Sequence, residues 1–527
     1  MVADDDSPLL RDHERSEYGT LGEGASFNAN LGTVEAFGII ISIVIGSGIF
    51  TSPGSIDANV PSPGAALVVW LVGGILAWTG AATMAELGTA IPGEGGVQPY
   101  LQYIFGEVFG FLAAWTWIIA VVPASLAILS IAFVESIYSA AGITDQSGGV
   151  AHKFLAISVL LVVGMANSIS TQFSTRLNTA FVTTKFIAIC LIVAAGIIVV
   201  LAHISGQPGN PDPQPQDWLT RPWFHSRNLV RPDGTELDWS KVDGWEMLGH
   251  FSTALYGALW AYSGWDKAIY ISAELSAPAS QLPRAINAAL PIIIVSFVAV
   301  NAAYYIMLPW NAISMTDSVA VTSFTHLFGP QVGIAMAGLI CLVMAGSLLG
   351  SSFVASRMVV AAANSHWLPK SLASVGGIGL QSHENRDSSP SSASGPLPAS
   401  SDAPVNAIIF STTCTIVYIA FGNFRPLMTL NGLAEYTFFF LTMVGALVLR
   451  VREPSLHRPY KPLVIIPVVF ALVSGFVVIR GAIFAPLQAA VLAVIWLVGF
   501  TFHWLRKRWL ERQETLIEIS QDLEYIK

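Results

Sequence analysis

Gly46, Ser47 and Gly48 stand in a row inside an otherwise apolar run, "VIGSGIF", and Thr51, Ser52, Pro53 and Gly54 follow closely. Each Gly costs a helix about 1 kcal/mol against Ala. In lipid, every backbone group freed by a break must also find a partner, so unwound backbone survives only where it lines a cavity or lies buried in protein. Close packing of two helices over small residues is one reading of the triplet. A site made of main-chain N–H and C=O groups is the other. A second stretch repeats the pattern: in "LWAYSGWDKAIY", Leu259 to Tyr270, Ser263 and Gly264 interrupt an apolar helix beside Trp260, Trp265, Asp266 and Lys267. Unpaired N–H groups at the start of a resumed helix form a positive end that suits a carboxylate. Freed carbonyls suit an ammonium, so such a pocket needs no ionised side chain. Lys185, in "NTAFVTTKFIAICL", is a third candidate. It lies about 15 Å along its helix at 1.5 Å per residue. A Lys near a helix centre costs about 2.5–3.5 kcal/mol, so it should face a cavity or a partner; snorkelling to the interface is the alternative.

The elements that must hold these residues are membrane helices. The chain has 527 residues, 53% hydrophobic and 11% charged, with a mean hydropathy of +0.61. A soluble domain is about a quarter charged. The apolar blocks reach the roughly 20 residues that cross a bilayer as helix. About twelve spans are expected by that rule, at 34–57, 64–91, 107–139, 152–170, 175–203, 247–275, 283–309, 330–361, 405–422, 426–450, 464–483 and 487–505. The fold class is therefore an all-α polytopic membrane protein, with the bilayer as its solvent. The two interrupted stretches fall in spans one and six, five apart. Broken helices in matching positions of two halves point to an inverted repeat with a midplane site.

Basic residues in short loops set the orientation. Arg450, Arg452, Arg458 and Lys461 lie between spans ten and eleven, and Arg506, Lys507, Arg508 and Arg512 follow span twelve. An even count puts both clusters, Arg284 and both chain ends on one side, expected to be cytosolic. The organisation that follows is a disordered tail at 1–33, a first half at 34–203, a non-cytosolic loop at 204–246 and a second half at 247–450. A Ser/Pro linker lies at 381–404, the last two spans at 451–505, and a cytosolic tail at 506–527. The linker cannot pack a core. In the tail, Trp509, Leu516, Ile519 and Leu523 have helical spacing that fits either an amphipathic cap or a solvated helix. No cleavable leader is expected. The net charge of −9 comes mainly from the tails and the long loop. Pro123 is expected to kink span three. Glu86 and Glu94 are expected as cytosolic gate or packing residues, and Glu35 as a partner in a gate ion pair.

The stretches "IIISIVIGSGIFTSPG", "GAALVVWLVGGILAWTGAATMAELGTAIPGEGG", "LWAYSGWD" and "AELSAPASQLPRAI" together resemble the amino acid–polyamine–organocation superfamily. The pattern is nearest its L-type amino acid transporters and the fungal methionine-permease-like branch. The resemblance runs from about Val34 to Leu505. It implies the five-plus-five inverted-repeat fold with two extra helices, and a free amino acid as substrate. It implies that Ser47 and Gly48 give N–H groups to the substrate carboxylate, and that Gly46 lets the substrate approach the backbone. The ammonium would go to the carbonyls of Val44, Trp260 and Ser263. Trp260 would be a lid over the substrate; an ordinary core tryptophan is the other reading. The L-type branch often has Phe there, so the pocket shape differs. Lys185 would stand where sodium-coupled relatives bind a cation and tie span one to span eight near Ser351 and Ser352, which implies sodium independence. Asp266 is either an interfacial partner of Lys267 or a pocket residue that selects side chains or carries a proton.

Animal L-type subunits join a single-span glycoprotein by a disulfide from the loop after span three. The matching loop here, "AAGITDQSGGVAH", has no Cys, so no disulfide-linked heavy chain is expected. Cys190, Cys341 and Cys414 lie in apolar runs as small core residues. The ten His are scattered, so an enzyme is not expected. No metal-ligand spacing, phosphate loop or nucleic-acid patch is present, and no cofactor is called for. The expected activity is sodium-independent secondary transport of neutral amino acids, methionine among them, with a proton or a counter-exchanged amino acid as co-substrate. A sensor that barely transports and an exchanger that accepts cationic amino acids stay open. The plasma membrane is the first expectation. "DDSPLL", Asp5 to Leu10, matches an acidic dileucine sorting pattern and keeps a vacuolar or endosomal membrane second.

Overall fold

The computed structural model of the chain describes residues 32–91, 96–143, 149–169, 171–205, 217–230, 235–266, 275–365, 367–373 and 404–525. Ten helices among them are long and apolar enough to cross a membrane. Span nine, Val405–Phe421, is shorter, and span six is described only as Gly244–Ala261 and the turn after it. Expected span ends differ from the helix ends by a few residues, with one exception. The twelfth helix runs unbroken from Pro486 to Tyr525, so among the described residues nothing separates it from the tail. Two short strands, Leu229–Val230 and Glu236–Leu237, pair antiparallel in the long loop.

The two halves repeat each other with opposite direction. Span one packs on span seven as span six packs on span two. Span five packs on span eight as span ten packs on span three. Spans two and seven, three and eight, and four and nine pack on their own counterparts. Each half also contains a short helix that the spacing of apolar residues did not reveal, Val97–Phe105 in the first and Val319–Phe328 in the second. Each ends at a glycine in the left-handed region, Gly106 at φ 96° and Gly329 at φ 87°, from which the next span departs. Four residues on, Gly110 and Gly333 lie against that short helix. A Cβ on Gly110 would sit 2.6 Å from Cβ of Gln102, and one on Gly333 would sit 1.9 Å from Oγ1 of Thr325. Both contacts span eight residues of sequence, so the two corners are one local design used twice.

Pro123 does not kink span three by a simple gap. A π turn at Trp117–Val121 precedes it, as happens where a Pro removes a donor from the ladder. The carbonyl that Pro123 leaves free is that of Ile119, and Tyr418 of span nine donates its hydroxyl to it at 3.0 Å. Of the ten long helices, span three is the most enclosed and the twelfth the most peripheral. Exposed apolar side chains such as Val295 and Leu497 cover the outside of the bundle, as a lipid solvent requires.

Polar contacts gather at two opposite faces. At one, Glu86 meets Arg450 and Arg458, and Tyr103 donates to Glu453. At the other, Asp57 meets Arg227, Asp317 meets Arg425, and Arg480 donates to the carbonyl of Trp245. We call these the tail face and the loop face.

Candidate functional site

Span one is broken where the small residues stand. Its first helix, Thr33–Val44, closes with Ile45 donating to the Ile41 carbonyl at 2.9 Å. Gly46 then donates back to Val44 at 2.8 Å in a tight turn, and the helix resumes at Gly48. The first new backbone bonds are Phe50 to Ser47 at 3.0 Å and Ser52 to Gly48 at 2.9 Å. The N–H groups of Ser47, Gly48 and Ile49 therefore have no acceptor among the described residues. They are the donors that any helix start leaves over. The resumed helix continues past Ser52 to Asp57.

Span six breaks opposite. Its first helix ends at Ala261, where Tyr262 donates to Ala258 at 3.0 Å and Ser263 to Trp260 at 3.1 Å. The chain then turns through Gly264 at φ +106°, a conformation that side-chain-bearing residues rarely adopt.

The glycines show how the breaks meet. A Cβ on Gly48 would sit 2.5 Å from Cα of Ala261 and 3.2 Å from the carbonyl oxygen of Trp260. One on Gly264 would sit 3.0 Å from Cγ2 and 3.2 Å from the carbonyl oxygen of Ile43. The two breaks thus cross backbone to backbone, each using a glycine to reach the other. Gly46 differs: a Cβ there would find nothing nearer than the Val44 oxygen at 3.9 Å and the Gly48 nitrogen at 4.0 Å. Gly46 borders open space floored by main-chain atoms. The two readings of the triplet divide between residues. Close packing explains why position 48 is glycine. Gly46 is the glycine that leaves room.

Around this crossing, Ser47 is buried, Ser263 and Trp260 are half-buried, and the indole Nε1 of Trp260 has no hydrogen-bond partner among the described residues. Trp265 is fully buried, its ring 4.6 Å from Phe439 and 5.8 Å from Phe470. Asp266 is 6% exposed. Glu435, itself buried, was missed in the sequence. The available signal was an ionisable residue deep in span ten, in "LAEYTFFF". Lys267 and Glu94 lie outside the described residues.

Lys185 is 7% exposed. Most of its side chain is therefore covered by protein. Its helix packs along span eight, where Gly346 admits Phe181 of span five: a Cβ on Gly346 would be 2.3 Å from Cβ of Phe181. Ser352 is buried and Ser351 half-buried further along that helix.

At the tail face, Glu86 is 1% exposed and bound by two arginines. Arg450 donates through Nε at 2.8 Å and Arg458 approaches at 3.4 Å. Glu86 is thus an ion-pair centre joining span two to span ten. Glu35 instead accepts from the N–H of Gly32 at 3.0 Å and caps its own helix.

The chain matches the amino acid permease family over residues 31–502. It is 28% identical over 500 residues to the b(0,+)-type amino acid transporter 1 of Mus musculus, covering 94% of this chain and 91% of that one. It is also 28% identical over 508 residues to the large neutral amino acids transporter small subunit 2 of Mus musculus, with 96% and 86% covered. The Asc-type amino acid transporter 1 of Mus musculus matches at 28% over 501 residues, with 95% and 85% covered. With two broken helices crossing at their glycines inside an inverted-repeat bundle, the chain is a multi-pass membrane transporter that belongs to the amino acid permease family, on the L-type branch of the amino acid–polyamine–organocation superfamily.

Proposed function

We infer that the protein moves neutral amino acids, methionine among them, across its membrane by alternating access and without sodium. The observation that carries this reading is the crossing itself. Three free N–H groups at Ser47, Gly48 and Ile49 stand beside open space at Gly46. Backbone donors at a resumed helix suit a carboxylate, and here Ser47 and Gly48 take it. The carbonyls of Val44, Trp260 and Ser263 take the ammonium, the first two through the lone pair left beside the turn bonds from Gly46 and Ser263. Trp260 closes over the substrate, and its buried indole N–H has no hydrogen-bond partner among the described residues. The ammonium of Lys185 supplies the charge a sodium ion would bring and ties span one to span eight near Ser351 and Ser352. Both chain ends face the cytosol, by the basic residues of the tail face, and the plasma membrane is its place. No disulfide-linked partner is needed, since the loop after span three has no Cys.

Uptake of a labelled neutral amino acid into proteoliposomes tests this reading. Replacing sodium by choline should leave the initial rate unchanged; a large sodium requirement overturns the role of Lys185. Loading the vesicles with unlabelled amino acid separates an exchanger, which is accelerated, from net uptake, which is not. Asp266→Asn in the same assay reads the buried carboxylate. Lost pH-dependent accumulation with exchange retained marks a proton site, and lost cationic substrates alone mark a selector. A variant that matches its parent in both leaves Asp266 a packing residue.

A further inference from the structure

The long loop before span six is built into the fold at the loop face. Asp57, the last residue of the resumed half of span one, is fully buried, and Arg227 of the loop donates to its Oδ1. Tyr305 of span seven donates to the same oxygen. Around this contact the loop is fastened at several points. Arg227 N–H donates to the Pro61 carbonyl at 3.0 Å, and Gly64 N–H donates to the Trp223 carbonyl at 2.8 Å. The Phe224 ring covers Gly64, where a Cβ would sit 2.7 Å away. Trp310 N–H donates to Asp217 at 2.9 Å, and Trp223 packs on Trp310 with centroids 5.7 Å apart.

The buried pair is incompletely satisfied. Oδ2 of Asp57 and Nε and Nη1 of Arg227 have no hydrogen-bond partner among the described residues. A buried ion pair offsets its desolvation only when its remaining lone pairs and protons are also bonded. As a stability device the pair is poor. As a contact between two parts that must separate it is well suited, because little is lost when both charges return to water together.

We propose that Asp57, Arg227 and Tyr305 form a latch by which the loop segment 217–230 holds the second half of span one against the bundle, and that opening of the site toward the loop face requires its release. These are positioning residues, since none is placed against the substrate. They act on the half-helix that begins at the free N–H groups of Ser47 and Gly48. The proposal rests on the transport reading above.

The test measures uptake kinetics from each face of proteoliposomes containing the full chain, for Arg227→Met, Asp57→Asn, Tyr305→Phe and Arg227→Lys. Releasing the latch raises the population open to the loop face, and apparent affinity scales with the fraction of competent protein. Arg227→Met and Asp57→Asn should therefore lower KM at the loop face, raise it at the tail face and lower the turnover, each about threefold or more. Tyr305→Phe should shift all three in the same directions by less, and Arg227→Lys should restore parent values in part. A purely structural clip would lower the melting temperature and the amount of folded protein with KM unchanged at both faces, and that result overturns the latch. Should the charge variants not fold, Tyr305→Phe and Arg227→Lys decide by the same KM criterion. Hydrogen exchange gives a readout without transport: residues 48–57 should exchange faster in Tyr305→Phe while residues around Glu86 do not, and equal rates overturn the proposal. Failure of the parent protein to take up any amino acid counts against the transport reading, whereas unchanged exchange in the variant counts against the latch alone.

Discussion

Gly48→Val should reduce amino acid uptake by more than about tenfold, because a closed contact tolerates no added volume: overpacking costs about 1–3 kcal/mol even where side chains can shift. Here the obstacle is the main chain of Ala261, 2.5 Å from where the Cβ would stand, so either break must move. The crossing is also where both helices are interrupted, so the damage falls on the site itself. Gly46→Ala is the control two residues away. Its Cβ meets nothing nearer than 3.9 Å, so the protein should keep its melting temperature while KM rises, the new methyl standing in the open space. Uptake assays with melting curves on both variants check the pair. Unchanged uptake by Gly48→Val would mean the breaks do not cross as described.

The second large effect is on stability. Glu86 is the carboxylate that two nearly buried guanidinium groups share, and both arginines also donate to backbone carbonyls. Arg450 reaches Pro462 at 2.9 Å, and Arg458 reaches Leu449 at 3.0 Å, Leu456 at 3.0 Å and Glu453 at 3.1 Å. Glu86→Ala leaves both cations buried without their counter-charge. Breaking a buried pair from one side costs about 3–5 kcal/mol. The melting temperature in detergent should fall clearly, and Glu86→Gln should fall less, since it keeps an acceptor. An unchanged melting temperature for Glu86→Ala would show that water reaches the triad.

The breaks were legible because they violate a local rule. Small and polar residues in the middle of an apolar span conflict with helix propensity, and membrane physics leaves few explanations. What the sequence could not divide was the work of the three residues, since whether a glycine faces a helix or a cavity depends on the crossing of spans far apart in the chain. The repeat was legible in part. "FGEVFG" at 105–110 and "FGPQVG" at 328–333 share a glycine after phenylalanine and another four residues later. These mark the matched corners, but a short helix of nine or ten residues falls below the length that a membrane rule detects. The loop-face cap was not legible. Its key pair, Asp57 and Arg227, is separated by 170 residues, and a Pro-rich stretch reads locally as linker. Glu86 and the basic residues Arg450 and Arg458 were each legible but their pairing was not, because a triad that joins span two to the end of span ten and the loop after it leaves no local pattern.

The central claim is that main-chain groups at the span-one break hold the substrate carboxylate. Competition between free amino acids and their amides for uptake into proteoliposomes tests it most directly. An amide keeps the side chain and the ammonium but loses the negative charge that the N–H groups of Ser47 and Gly48 are placed to meet. The free acid should compete fully and its amide poorly, with the difference retained when sodium is replaced by choline. Amides that compete as well as the free acids would contradict the carboxylate site.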